Sequence, residues 1–145
     1  MAGNGAAVKV HIDNVVKKFD TRKGEMTALN GVNLDIHENE FVCVVGPSGC
    51  GKSTLLNIIG GLEEPTSGSV TVDGKPVEGP GPDRGIVFQQ YALFPWLTVE
   101  ENVKFGLKLQ GKSKEECDEI ANKYIKLVEL QDFAKSYPKE LSGGM

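Results

Sequence analysis

No stretch of this 145-residue chain approaches the ~20 consecutive apolar residues of a membrane-spanning helix; the longest aliphatic run is FVCVV, residues 41–45. The opening MAGNGAAVKV has neither a basic cluster nor an apolar core, so no secretory signal is legible in it. Cysteine is scarce. Cys43, Cys50 and Cys117 are odd in number, widely spaced and without a C-x-x-C pair, which reads as reduced thiols rather than a disulfide framework or a metal site. There are two histidines, far apart, and His11 alternates with Val10 and Ile12 as a solvent-facing strand residue would. Positive charge is not in excess either. With 16 Lys and Arg against 20 Asp and Glu, the formal net charge of −4 argues against a general nucleic-acid binder, which would carry a basic face. It leaves open a single anionic ligand held by backbone groups.

Glycine is the residue in surplus: 18 of 145, about 12% against a usual ~7%. The glycines cluster at 46–51, 60–61, 79–85 and 143–144, between periodic segments, as turns and ligand-cradling loops would. The length, with 39% hydrophobic and 25% charged residues, suits one globular domain with a real core.

Residues 8–12 (VKVHI), 31–36 (GVNLDI) and 69–74 (SVTVDG) alternate apolar and polar, which predicts three half-buried strands of an antiparallel sheet. FVCVV is apolar at every position and predicts a strand buried on both faces, as in a parallel sheet; GIVF, residues 85–88, is a second candidate. Residues 53–62 contain no proline and predict a helix. Further on, Pro95 interrupts the apolar loop of residues 89–99. Two capping boxes follow, Thr98 with Glu101 and Ser113 with Glu116, each opening a predicted helix. Val99, Val103 and Leu107 give the first an apolar face. Cys117, Ile120, Ala121, Tyr124, Leu127 and Val128 give the second a stripe that predicts core packing. The expected organisation is an α/β fold: about 8–89 as a β subdomain with a phosphate-loop core, and about 90–145 as a helical subdomain.

The strongest motif is GPSGCGKST, residues 46–54, which matches G-x-x-x-x-G-K-[ST] between a predicted strand and a predicted helix. Gly46, Gly49 and Gly51 permit the backbone turns that aim successive N–H groups inward, and the helix N-terminus adds partial positive charge. Pro47, Ser48 and Cys50 fill the intervening positions, and Cys50 is expected to offer its backbone N–H rather than a nucleophilic thiol. Lys52 would reach the β- and γ-phosphates of a nucleotide, Ser53 would face a bridging Mg2+, and Thr54 continues the helix.

Taken with VFQQYALFPWLTVEENV and YPKELSGGM, this loop resembles the nucleotide-binding subunits of ATP-binding-cassette (ABC) transporters, over residues 8–145. The resemblance implies a P-loop NTPase core with an antiparallel β subdomain and a helical subdomain, ATP and Mg2+ as ligands, and ATPase activity in the complete protein. It implies that Phe19 stacks on adenine, that Gln89 completes the Mg2+ shell, and that Leu141, Ser142, Gly143 and Gly144 form the signature that caps the ATP of a partner subunit in a head-to-tail homodimer. It further implies transmembrane permease subunits docking at YALFPWL, and a place on the cytoplasmic face of the inner membrane. GPGPDRGIVFQ and FPWLTV look most like the importer group for nitrate, sulfonate and taurine. A non-transport ABC ATPase of DNA repair or translation, or a nucleotide-binding module without turnover, are the competing expectations. One departure is Asn39-Glu40 where the family has Gly-Glu; asparagine tolerates the left-handed backbone this turn needs. No apolar run in the chain is followed by Asp-Glu, and no histidine follows the signature. The family's general base is therefore expected beyond Met145, the chain is expected to be a truncated cassette lacking the C-terminal part of the core, and it is expected to be inactive alone.

Overall fold

The alternation at residues 8–12 and 31–36 is realised in two long strands, β1 (Val8–Thr21) and β2 (Gly24–His37). The computed structural model describes residues 7–22, 24–88 and 92–145. Within these, β1 pairs antiparallel with β2 on one side and with β3 (Ser67–Val72) on the other. A two-residue β4 (Lys75–Pro76) follows the Asp73–Gly74 turn, so the sheet order is β2-β1-β3-β4. Both turn residues take positive φ, 51° and 73°, as such a tight hairpin requires. The three predicted strands are thus present, in the predicted antiparallel sense. His11 is solvent-facing and its ring bonds Asp35 at 2.5 Å. Asn39 takes the left-handed backbone anticipated for it, with φ 61°.

One sheet face forms a core with α1 (Lys52–Ile59), the helix predicted to follow the glycine loop. Ile12, Val15, Leu29 and Val70 from the strands bury against Leu55 and Ile58 of the helix. Each such side chain contributes about 1.5–3 kcal/mol through removal from water.

The expected parallel strands are the correction. Neither residues 41–45 nor residues 85–88 form a strand, and most of their side chains face solvent, Phe41 at 90% and Val87 at 99% exposure, while Ile86 is half-buried. Neither segment finds a strand to pair with among the described residues, and an apolar run becomes a parallel strand only when neighbours supply the ladder. Uniform apolarity indicates what a segment would bury, not what is there to bury it.

The chain divides into two compact units, Met1–Val87 and Phe88–Met145. The second is built on α2 (Val99–Leu109) and α3 (Lys114–Leu127), followed by 3-10 turns at Gln131–Phe133 and Pro138–Glu140. Both capping boxes form: Thr98 and Ser113 accept from Glu101 N–H and Glu116 N–H, and the two glutamates accept in return from the cap N–H groups. The stripe on α3 is narrower than the sequence predicts. Cys117, Ala121 and Ile125 are buried at i, i+4 spacing, whereas Tyr124, Leu127 and Val128 are exposed. One helix neighbour covers only a thin line of α3, and Val99, Leu130, Ala134 and Leu141 complete this small core.

Carboxylates brace the same unit. Lys104, buried on α2, pairs with Glu100 and Asp118, and Lys135 also reaches Glu100. Lys104 first, then Lys135, holds the Glu100 carboxyl below its ordinary value of 4.5. The cap N–H groups of Thr98 and Ser113 do the same for Glu101 and Glu116. A carboxyl more acidic when folded stabilises the fold above its unfolded pKa and stops doing so as pH falls through the folded one. The helical unit is therefore expected to melt at progressively lower temperature as pH drops below 4.5, read by far-ultraviolet circular dichroism. Replacing Glu101 and Glu116 by Gln should flatten the profile; an unchanged slope would refute this origin.

Candidate functional site

The phosphate loop hangs between β2 and α1, and its shape comes from glycines. Gly49 and Gly51 have φ of 82° and 94°. Gly51 is also the N-cap of α1, and a Cβ there would stand 2.6 Å from the Ala28 carbonyl oxygen and 2.8 Å from a Leu29 methyl of β2. Only a residue without a side chain lets the loop lie against that strand. Residues 46–50 and Ser53 are exposed, while Gly51, Lys52 and Thr54 are half-buried. The Cys50 N–H makes a long 3.4 Å bond to the Pro47 carbonyl, and its thiol is exposed 3.7 Å from Lys52 Nζ.

Lys52 folds back over the loop and donates to the carbonyls of Gly46 and Pro47, both at 2.8 Å. No acidic residue occupies the first turn of α1 and no side chain caps it. The helix N-terminus therefore presents bare N–H groups, a lysine held by neutral acceptors alone, and the Ser53 hydroxyl on one exposed surface. Negative charge is favoured there. A phosphate oxygen brings an opposite charge to the ammonium, so it attracts Lys52 more strongly than a neutral carbonyl does. The donor set fits a polyphosphate, and the hard Ser53 oxygen beside it fits Mg2+.

Phe19, half-buried near the end of β1, pairs with Met26 of β2. Met26 lies two residues from Ala28, the seat of Gly51, or about 7 Å along the strand. The fold thus brings the aromatic ring and the phosphate loop to one stretch of β2. The signature residues lie in the other unit. Leu141 is half-buried on the Val99–Ala121–Ile125 core, and Ser142, Gly143 and Gly144 form an exposed turn closed by Met145 N–H on the Ser142 carbonyl at 3.0 Å. Gln89, with Gln90 and Tyr91, lies outside the described residues.

The family profile described as "ABC transporter" matches residues 29–145. The chain belongs to the ABC transporter family. This ABC cassette is 56% identical over 138 residues to an uncharacterized ABC transporter ATP-binding protein of Methanocaldococcus jannaschii, covering 95% of the chain and 52% of that protein. It is 53% identical over 136 residues to the nitrate import ATP-binding protein NrtD of Synechocystis, covering 94% and 51%. Its structure superposes on a dimeric, post-hydrolysis ATP-binding cassette bound to ADP and Pi with a TM-score of 0.83 at 41% identity, covering 93% of this chain and 64% of that one. The cassette fold expected from the motifs is therefore present. The chain spans about half the length of the curated relatives it matches.

Two contributors escaped the sequence reading. Lys17 lies over the Phe19 ring, 5.0 Å from its centroid. Asn102 holds the aromatic loop by its side chain, accepting from Phe94 N–H at 2.9 Å with its amide nitrogen near the Phe94, Leu97 and Thr98 carbonyls. A lone lysine in a strand and a lone asparagine in a helix carry no spacing signal; each is recognisable only once its neighbours are placed.

Proposed function

We propose that the full-length protein is the ATP-binding subunit of an ABC importer for a small solute, nitrate or a similar small anion, and that it couples ATP hydrolysis to uptake. The observation that carries this is the phosphate loop itself: Lys52 held by two neutral carbonyls and the Cys50 thiol, Ser53 beside it, and positive-φ glycines of which Gly51 is seated on β2. The similarity to a nitrate import subunit supports the substrate class. In this reading Gly46 to Thr54 hold the triphosphate, Ser53 and Gln89 hold Mg2+, and Phe19 stacks on the base. Bound MgATP supplies the reactive γ-phosphoryl group. Leu141 to Gly144 serve the nucleotide of a second copy, and the dimeric state of the structural relative supports that pairing.

The permease would dock on the aromatic loop and hold the subunit at the cytoplasmic face of the inner membrane. No helix among the described residues is long and apolar enough to cross a membrane by itself. Trp96 is 69% exposed, and Phe94 is half-buried between Trp96 and Phe105, with ring centroids 5.5 and 4.4 Å away. An exposed tryptophan anchored on a packed aromatic pair is a docking knob of the kind that dominates interfaces. Changing Phe94 and Trp96 to Ser should abolish co-purification with the permease while MgATP affinity stays within about twofold, less than 0.5 kcal/mol. Because Phe94 also supports the unit, Trp96→Ser alone is the cleaner arm. Undiminished assembly by both variants would exclude this surface.

A further inference from the structure

The ammonium of Lys17 makes three contacts that no phosphate-loop motif calls for. It pairs with Glu63 at 2.5 Å, donates to the Glu64 carbonyl at 2.7 Å, and sits over the Phe19 ring. Its side chain is only 13% exposed, so the charge is largely withdrawn from water and held by these partners. Lys17 and Phe19 stand two residues apart on β1, and Lys17 pairs with Leu29 of β2, the residue whose methyl group abuts Gly51. Glu63 and Glu64 belong to the segment leaving the C-terminal end of α1, which Thr66 then ties to β1 through Val16 and Lys18. One cation therefore touches the aromatic ring and the segment that follows the helix whose other end is the phosphate loop.

We propose that Lys17 is a positioning residue for the nucleotide base: it clamps Phe19 to the Glu63–Glu64 segment and so fixes the ring at a set distance from the phosphate loop. This rests on the reading of Phe19 as the base platform. The ammonium takes one face of the ring, so a stacking base would take the other. A ring that must be caught in one of several rotamers binds more weakly than one already held, because the ordering cost falls at the moment of binding.

The test uses the full-length protein with Mg2+ and two ligands, ATP and inorganic tripolyphosphate, the second having no base. Lys17→Met keeps the stem and removes the charge. A cation–π contact is worth from about 0.5 kcal/mol when exposed to about 2 when desolvated, so ATP affinity should fall about two- to thirtyfold. Tripolyphosphate affinity should not change. Lys17→Arg should recover most of the loss, and Lys17→Met should add nothing in a Phe19→Ala background. Equal weakening of both ligands by Lys17→Met would overturn the proposal, since the lysine would then act on the phosphate loop as a whole. No weakening of ATP by Lys17→Met, while Phe19→Ala weakens it, would overturn the clamp and leave the platform reading intact. If Phe19→Ala itself spares ATP, the platform reading fails and the clamp falls with it. Should Lys17→Met fail to fold, Glu63→Gln breaks the same clamp from its other end. It is expected to weaken ATP alone, and an equal effect on both ligands, or none, overturns the idea.

Discussion

Lys52→Ala in the full-length protein should weaken MgATP binding by about 10- to 100-fold, because hydrogen bonds to charged groups are worth roughly 1.5–3 kcal/mol. The expectation rests on where the ammonium already is. Its donors go to the Gly46 and Pro47 carbonyls, on the surface where α1 begins, and no carboxylate competes for it among the described residues. A phosphate need only displace neutral acceptors, two carbonyls and the Cys50 thiol. The same geometry says what should not change: two local bonds over an exposed loop contribute little to the fold, so the melting temperature should stay nearly constant. Titration calorimetry separates these outcomes. Unaltered affinity would remove Lys52 from the site, and a large loss of thermal stability would mean its role is structural.

Gly51→Ala should destabilise the first unit by about 2–5 kcal/mol, combining a left-handed backbone cost with overpacking. The φ of 94° is unfavourable for any residue with a Cβ. The added methyl would also press on the Ala28 carbonyl and a Leu29 methyl, and β2 is paired along its length to β1 and cannot retreat alone. Gly49→Ala is the natural comparison. Its φ of 82° carries the same conformational cost, but a Cβ there meets nothing within 4 Å, so only about 1–2 kcal/mol should be lost. Denaturant midpoints for the two variants measure the difference. If they lose equally, the phosphate loop does not rest on β2 in solution.

Much of this arrangement was legible because local chemistry and tertiary structure agree. The alternation of Val8, Val10 and Ile12 became β1, and Thr98 and Ser113 cap the helices that their glutamates announced. The glycine loop lies before α1, where its motif places it. Legibility failed wherever the answer depended on a neighbour distant in sequence. FVCVV carries the composition of a buried strand and has no strand beside it among the described residues. Tyr124, Leu127 and Val128 continue an apolar stripe past the point where α2 stops covering it. Lys17 looks like any surface lysine until Glu63, Glu64 and Phe19 are seen to converge on its amine. Periodicity reports which face is apolar; it does not report how wide the covering is.

The strand order β2-β1-β3-β4 has a consequence in time. β1 and β2 are joined by a short turn and can zip on the microsecond scale of hairpins, whereas β1 must wait for β3. The Val10–Val72 pair encloses a loop of about sixty residues, which adds roughly 3 kcal/mol of closure entropy over a two-residue turn. The phosphate loop and α1 both lie inside that loop, and the seat of α1 is complete only when Val70 arrives beside Ile12. On the ribosome, the hairpin can therefore stand finished while the glycine loop is still slack, and the loop tightens when residues 67–72 dock along the far side of the strand made first.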